Sequence, residues 1–161
     1  MSLRLHLIFL LTLPMLITAC KTSPSVTAPS GIEPMTIAIQ ALTTDKRYSY
    51  FELSPNGDLS YGGGFNAINR NAKPVTQLNS EQLFQLQTYI NQSDLFTAKV
   101  SGNQSRSRSE TVHHELQLKV GKRKRNIVVN DDRIPAVARL HDMLFEYYAQ
   151  ARYNLPGIGK K

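Results

Sequence analysis

Tryptophan is absent from this 161-residue chain, and cysteine occurs once, as Cys20. A single thiol excludes a disulfide framework within the chain. Past Cys20 no apolar run approaches the roughly 20 residues that a membrane-crossing helix needs. Acidic residues are scarce, with 12 Asp and Glu against 19 Lys and Arg. Catalytic signatures are missing too. Gly57-Asp58-Leu59-Ser60-Tyr61-Gly62 approaches G-x-S-x-G with the wrong spacing. His114-Glu115 is followed by Leu116-Gln117-Leu118, so the second histidine of a zinc-protease helix is absent. Gly62-Gly63-Gly64 lacks the Lys-Ser/Thr of a phosphate loop and reads as the end or bend of a strand. No cofactor is expected.

What is present begins at the amino terminus. Arg4 supplies a positive start, Leu5–Ile17 an apolar run broken by His6, Thr12 and Pro14, and Ile17-Thr18-Ala19-Cys20 a branched residue, two small ones and a cysteine. The run is too short to span a bilayer and has the layout of an export signal. The last four residues resemble the lipobox of bacterial lipoproteins. That resemblance implies cleavage before Cys20, attachment of lipid to its thiol, and acylation of the new amine with chains such as palmitate. Residues 1–19 are then a signal peptide, and Cys20 is the lipidation site. The alternative is an ordinary signal cut near Ala19. Lys21 stands where an Asp favours inner-membrane retention in enterobacteria-like sorting. The expected location is therefore the outer membrane with the domain facing the periplasm, the inner membrane or cell surface being the alternatives.

Residues 20–34 carry Pro24, Pro29 and Pro34 among Ser and Thr and read as a flexible tether. Residues 35–152 have the length of a single domain, and residues 153–161 form a tail. With Cys20 lipidated no thiol remains, which excludes redox catalysis and cysteine–metal sites. Loss of Arg4 with the signal leaves 18 basic residues against 12 acidic, a net +6. Such a protein meets phosphates and carboxylates on lipids and envelope polymers. Nucleic acid is not an expected partner there.

Alternation places a strand over Met35–Leu42, and a Tyr/Phe-rich strand follows over Arg47–Leu53. Ser54-Pro55-Asn56-Gly57 is a turn, and Asp58–Gly62 is the returning strand. Asn66–Lys73 reads as polar loop and Pro74–Leu78 as a short edge strand. Asn79 with Gln82 forms a capping box, and Leu78 with Leu83 a hydrophobic staple, at the start of a helix whose apolar face is Leu83, Leu86 and Ile90. Val100–Ser109 has no period and reads as a long mobile loop. Val112–Val120 alternates, with His113 and His114 on opposite faces. Gly121-Lys122 turns the chain into Arg123–Val129. Asp131 or Asp132 is expected to cap a last helix that tolerates Pro135 in its first turn. Its apolar stripe is Val137, Leu140, Leu144, Tyr148 and Ala151. The order β-β-β-(β)-α-β-β-α predicts an α+β fold, an antiparallel sheet of hairpins with two helices packed on one face.

Asn56-Gly57, Leu59, Tyr61, Gly63, Gln82, Leu83, Leu86 and Phe96, in this order of elements, resemble a family of small exported bacterial domains of unknown function. The resemblance covers about Arg47–Tyr148 and supports the fold; that family's Gly/Cys-rich opening is missing before Tyr48.

The candidate binding residues are Lys119, Lys122, Arg123, Lys124 and Arg125, five cations in seven residues at a hairpin tip, with Arg106 and Arg108 in the preceding loop. They read either as a solvated hairpin that blocks edge pairing or as an anion-binding surface. No metal site is expected, since the histidines do not converge. His141 reads as a hydrogen-bonded histidine at the core margin. The expected role is a lipid-anchored, non-catalytic binding or adaptor module of the cell envelope. Its partner would be an anionic envelope polymer or another envelope protein. The alternative is an envelope hydrolase using His141 or Asp132.

Overall fold

A computed structural model describes residues 31–99, 112–130 and 134–154. Six strands form one antiparallel sheet: β1 (Met35–Thr43), β2 (Ser49–Leu53), β3 (Asp58–Gly63), β4 (Lys73–Gln77), β5 (Val112–Val120) and β6 (Arg123–Asn130). Their spatial order is β4-β3-β2-β1-β5-β6. Three helices complete the fold: α1 (Phe65–Ile68), α2 (Ser80–Gln92) and α3 (Pro135–Tyr153). The α+β class expected from the alternating and helical periods is the one observed.

The strands form because apolar residues recur every second position, and the pleat sends each set to one face. Met35, Ile37 and Ile39 of β1 share a face with Phe51 and Leu53, Leu59, Leu116 and Leu118, and Ile127. All are buried. Against this inner face pack Leu86 and Ile90 of α2 and Val137, Leu140, Leu144 and Tyr147 of α3. Two phenols tie the helices together. The Tyr89 hydroxyl donates to the Ala136 carbonyl at 2.9 Å, and that of Tyr147 donates to Gln85 Oε1 at 3.2 Å.

The start of α2 follows its sequence signal. The Gln82 N–H donates to Asn79 Oδ1 at 2.9 Å, and the Asn79 N–H to Gln82 Oε1 at 3.0 Å. These bonds satisfy two amides the helix leaves unpaired. The start of α3 differs. Ile134 occupies the cap position with no side-chain cap, and Pro135 opens the helix. Asp131 and Asp132 lie outside the described residues. The α3 stripe is also broader than a single row. Met143 and Tyr147 are buried, whereas Ala151 is exposed with the rest of the last turn.

One element was not legible. The expected polar loop after β3 contains α1, which lies on the opposite, outer face. The Gln40 amide nitrogen donates to the carbonyls of Ala67 at 2.6 Å and Ile68 at 3.4 Å. Gly62 makes this approach possible, since a Cβ there would collide with the Asn71 carbonyl. The rest of the outer face bears no helix among the described residues.

Candidate functional site

The outer face is built in rows across the strands. One row runs Asn126, Gln117, Ala38, Glu52, Ser60, and the next runs Val128, Glu115, Gln40, Tyr50, Gly62. Ala38 is short where its neighbours are long, so a groove of about 150 Å³ opens over it. Gln40, Tyr50, Glu115, Gln117, Asn126 and Arg70 line it. Arg70 reaches in from the segment after α1 and pairs with the Glu115 carboxylate. Glu115 also faces His113 Nε2 at 3.3 Å, and His113 Nδ1 lies 2.6 Å from Asn130 Oδ1. Asn130, His113, Glu115 and Arg70 thus form one polar chain at the edge of the groove.

The inner face carries a different cluster. A row of Gly63, Ser49, Ala41 and His114 crosses β3, β2, β1 and β5. The three small residues leave room for His141 of α3. Its Nε2 lies 2.7 Å from Ser49 Oγ, and its ring meets those of Phe51 and His114 edge-on at 5.5 Å and 5.7 Å. His141 Nδ1 faces the Asp142 carboxylate at 3.6 Å. Burial lowers the pKa of His141, against the pull of Asp142. Burial, reinforced by repulsion from His141, lowers that of His114 to about 4, and His114 Nδ1 has no hydrogen-bond partner among the described residues. Both rings are therefore neutral near pH 7. The order serine, imidazole, carboxylate resembles a hydrolase's nucleophile and base. Ser49, however, pairs with Ala41 on one side and Gly63 on the other. The backbone around it belongs to the ladder, and the nearby Gly64 N–H is bonded to the Tyr48 carbonyl at 3.1 Å. An acyl-transfer site needs donors aimed at the developing oxyanion, and none of these supplies them.

The pleat divides the basic hairpin. Arg123 and Arg125 share the inner side with Val120 and Leu118, whereas Lys119 and Lys124 pair on the outer side. Arg123 lies 4.4 Å over the Phe96 ring and donates to Asn91 Oδ1 at 2.5 Å. Arg125 donates to the Ala98 carbonyl at 2.6 Å. These two arginines fasten the segment after α2 to the sheet. Lys119, Lys122 and Lys124 are exposed. The five cations are thus divided between the two sides: the three lysines face solvent on one, and Arg123, exposed, and Arg125, half-buried, lie along the segment after α2 on the other. Arg106, Arg108 and Cys20 lie outside the described residues.

The hairpin turn has a further contact. The Gly121 N–H donates to the Pro34 carbonyl at 3.0 Å, and the Glu33 N–H donates to Gln87 Oε1 at 3.0 Å. Gly121 has φ +56°, and a side chain there would strike the Glu33 carboxylate. The chain therefore enters the domain beside the exposed lysines.

Sequence reasoning located His141 and the hairpin but missed Ser49, Gln40, Tyr50 and Arg70. Gln40 was the one visible signal, a long polar side chain in an apolar strand. No protein-family model matches the chain, and no curated protein matches it significantly. Among the described residues no His, Cys, Asp and Glu side chains group to hold a metal, and no helix is long and apolar enough to cross a membrane.

Proposed function

We propose that this protein is a lipid-anchored, non-catalytic module of the bacterial envelope, held by Cys20, with its basic hairpin turned toward the anionic surface that carries it. The observation that carries this proposal is the contact between Pro34 and Gly121. A tether running from Cys20 to Pro34 would deliver the domain with Lys119, Lys122 and Lys124 nearest the membrane. Two acyl chains suffice for stable anchoring, at about 0.8 kcal/mol per buried CH₂. The lysines are then not needed for residence. Near an anionic surface each adds about 1 kcal/mol, less as salt rises, which suits orientation or docking of an acidic partner.

The test uses a soluble form beginning at Lys21 and vesicles of anionic lipid. It should bind at low salt, release as salt rises, and lose binding when Lys119, Lys122 and Lys124 are changed to Gln. The full chain carrying the same changes should stay in the membrane fraction, whereas Cys20→Ser should abolish fatty-acid incorporation. Absence of salt-dependent binding in the unmutated form would leave the lysines as a solvated hairpin only.

The 2.7 Å contact between Ser49 and His141 favours one second reading, a serine hydrolase. It predicts covalent labelling by a fluorophosphonate that Ser49→Ala abolishes. The ladder position of Ser49 argues for no labelling. Asp132, the other residue considered for such an enzyme, lies outside the described residues.

A further inference from the structure

The outer groove has a chemistry of its own. Tyr50 is 8% exposed and lines the groove. Gln40 is 4% exposed and is held by the carbonyls of Ala67 and Ile68. Carbonyls accept only from its NH₂ group, so the orientation of the amide is fixed and its oxygen remains an acceptor. Gln117 and Asn126 face each other across β5 and β6, both exposed, with amides that can donate and accept. The charges at the rim, Arg70 and Glu115, neutralise each other. Ala38 leaves an apolar floor between these groups.

Each kind of ligand meets this set differently. Within the lining a free ion meets only the mutually compensated Arg70 and Glu115, and Glu52 at the margin beside Ala38 disfavours an anion. An apolar ligand would desolvate the Tyr50 hydroxyl and the amides without replacing their hydrogen bonds. A ligand whose closely spaced hydroxyls both donate and accept, on a ring with C–H faces, satisfies the whole set. The volume, about 150 Å³, lies below that of drug-sized sites and suits one ring.

We propose that the groove over Ala38 on the outer sheet face, lined by Gln40, Tyr50, Gln117 and Asn126, binds one ring of a neutral saccharide. This site is independent of the basic hairpin, and salt separates the two. Sugar binding at the groove is insensitive to salt, whereas hairpin binding to an anionic surface is not.

The test is saturation-transfer NMR and titration of the full chain in detergent micelles with cellobiose, maltose and chitobiose. At least one should bind with a dissociation constant in the millimolar range, unchanged by added salt. Ala38→Leu should abolish binding by filling the floor. Gln117→Ala and Asn126→Ala, both at exposed positions, should each weaken it about 2- to 10-fold, the loss of one hydrogen bond. Thermal unfolding checks that each variant is folded, and the two exposed substitutions keep the test valid if Ala38→Leu is not. Failure of all three sugars to bind, or equal binding by the wild type and the folded variants, would overturn the proposal. Binding that vanishes with salt would also overturn it.

Discussion

The two faces of the sheet receive neighbouring residues and treat them oppositely. His113 and His114 are consecutive in β5, both are buried, and the pleat sends one to each side. His113, on the outer face, lies between Asn130 and Glu115, within a polar chain that ends at Arg70. His114, on the inner face, meets the ring of His141 and has no hydrogen-bond partner at Nδ1 among the described residues. The outer face satisfies its polar groups with one another and leaves several open to a groove. The inner face excludes water and holds its imidazoles neutral. What a histidine does here is set by the side of the sheet it occupies, and the division extends to the whole domain. The inner face carries the core, and the outer face carries the groove.

The largest expected effect belongs to the inner face. Phe51 is fully buried and contacts the rings of Tyr61, His141, Phe145 and Tyr148. Phe51→Ala should cost about 3–5 kcal/mol, measured by urea unfolding at pH 7. A cost below about 1 kcal/mol would show that the inner face is not the seat of stability.

Acid should act on the same face. The folded state holds His114 neutral down to about pH 4, whereas the unfolded chain takes up that proton near pH 6.5. Its contribution is therefore fully present above pH 6.5 and is lost as pH falls toward 4. The loss amounts to about 3 kcal/mol. His141, shifted the same way, adds to it. His114→Gln should flatten the decline of the urea midpoint between pH 7 and pH 5. An unchanged decline in that variant would place the acid sensitivity elsewhere.

The smallest effect is expected outside. Gln117→Ala should change stability by no more than about 0.5 kcal/mol, because an exposed residue away from caps and core touches little that folding needs. A loss comparable to that of Phe51→Ala would erase the distinction between the faces.

The inner face was largely legible in the sequence, because burial imposes periodicity. Ile37, Ile39, Leu116 and Leu118 alternate, Leu86 and Ile90 recur at helical spacing, and Asn79 with Gln82 announces the start of α2. The outer face was not, for two physical reasons. A four-residue helix is barely one turn, too short for an apolar period to repeat, so α1 looked like polar loop, and Arg70 with it. The groove exists only because β1 lies between β2 and β5, which puts Ala38 beside Glu52 and Gln117. The pairing of β1 with β5 joins segments far apart in the chain, and no local pattern encodes it. The hairpin lies between these cases. Its five cations were obvious, but that Arg123 and Arg125 fold inward onto Phe96 and Ala98 depended on where the segment after α2 runs.

The orientation proposed for the domain places the hairpin turn near the membrane and the turn between β1 and β2 far from it. Nine residues of β1 separate those ends by about 30 Å. The direct measurement is fluorescence quenching in vesicles of anionic lipid carrying a headgroup quencher, into which the full chain has been reconstituted. One variant carries a dye on Lys122→Cys, the other on Lys46→Cys. The dye at position 122 should be strongly quenched at low salt and the dye at position 46 should not. Equal quenching of the two, or stronger quenching at position 46, would contradict the orientation on which the proposed function rests.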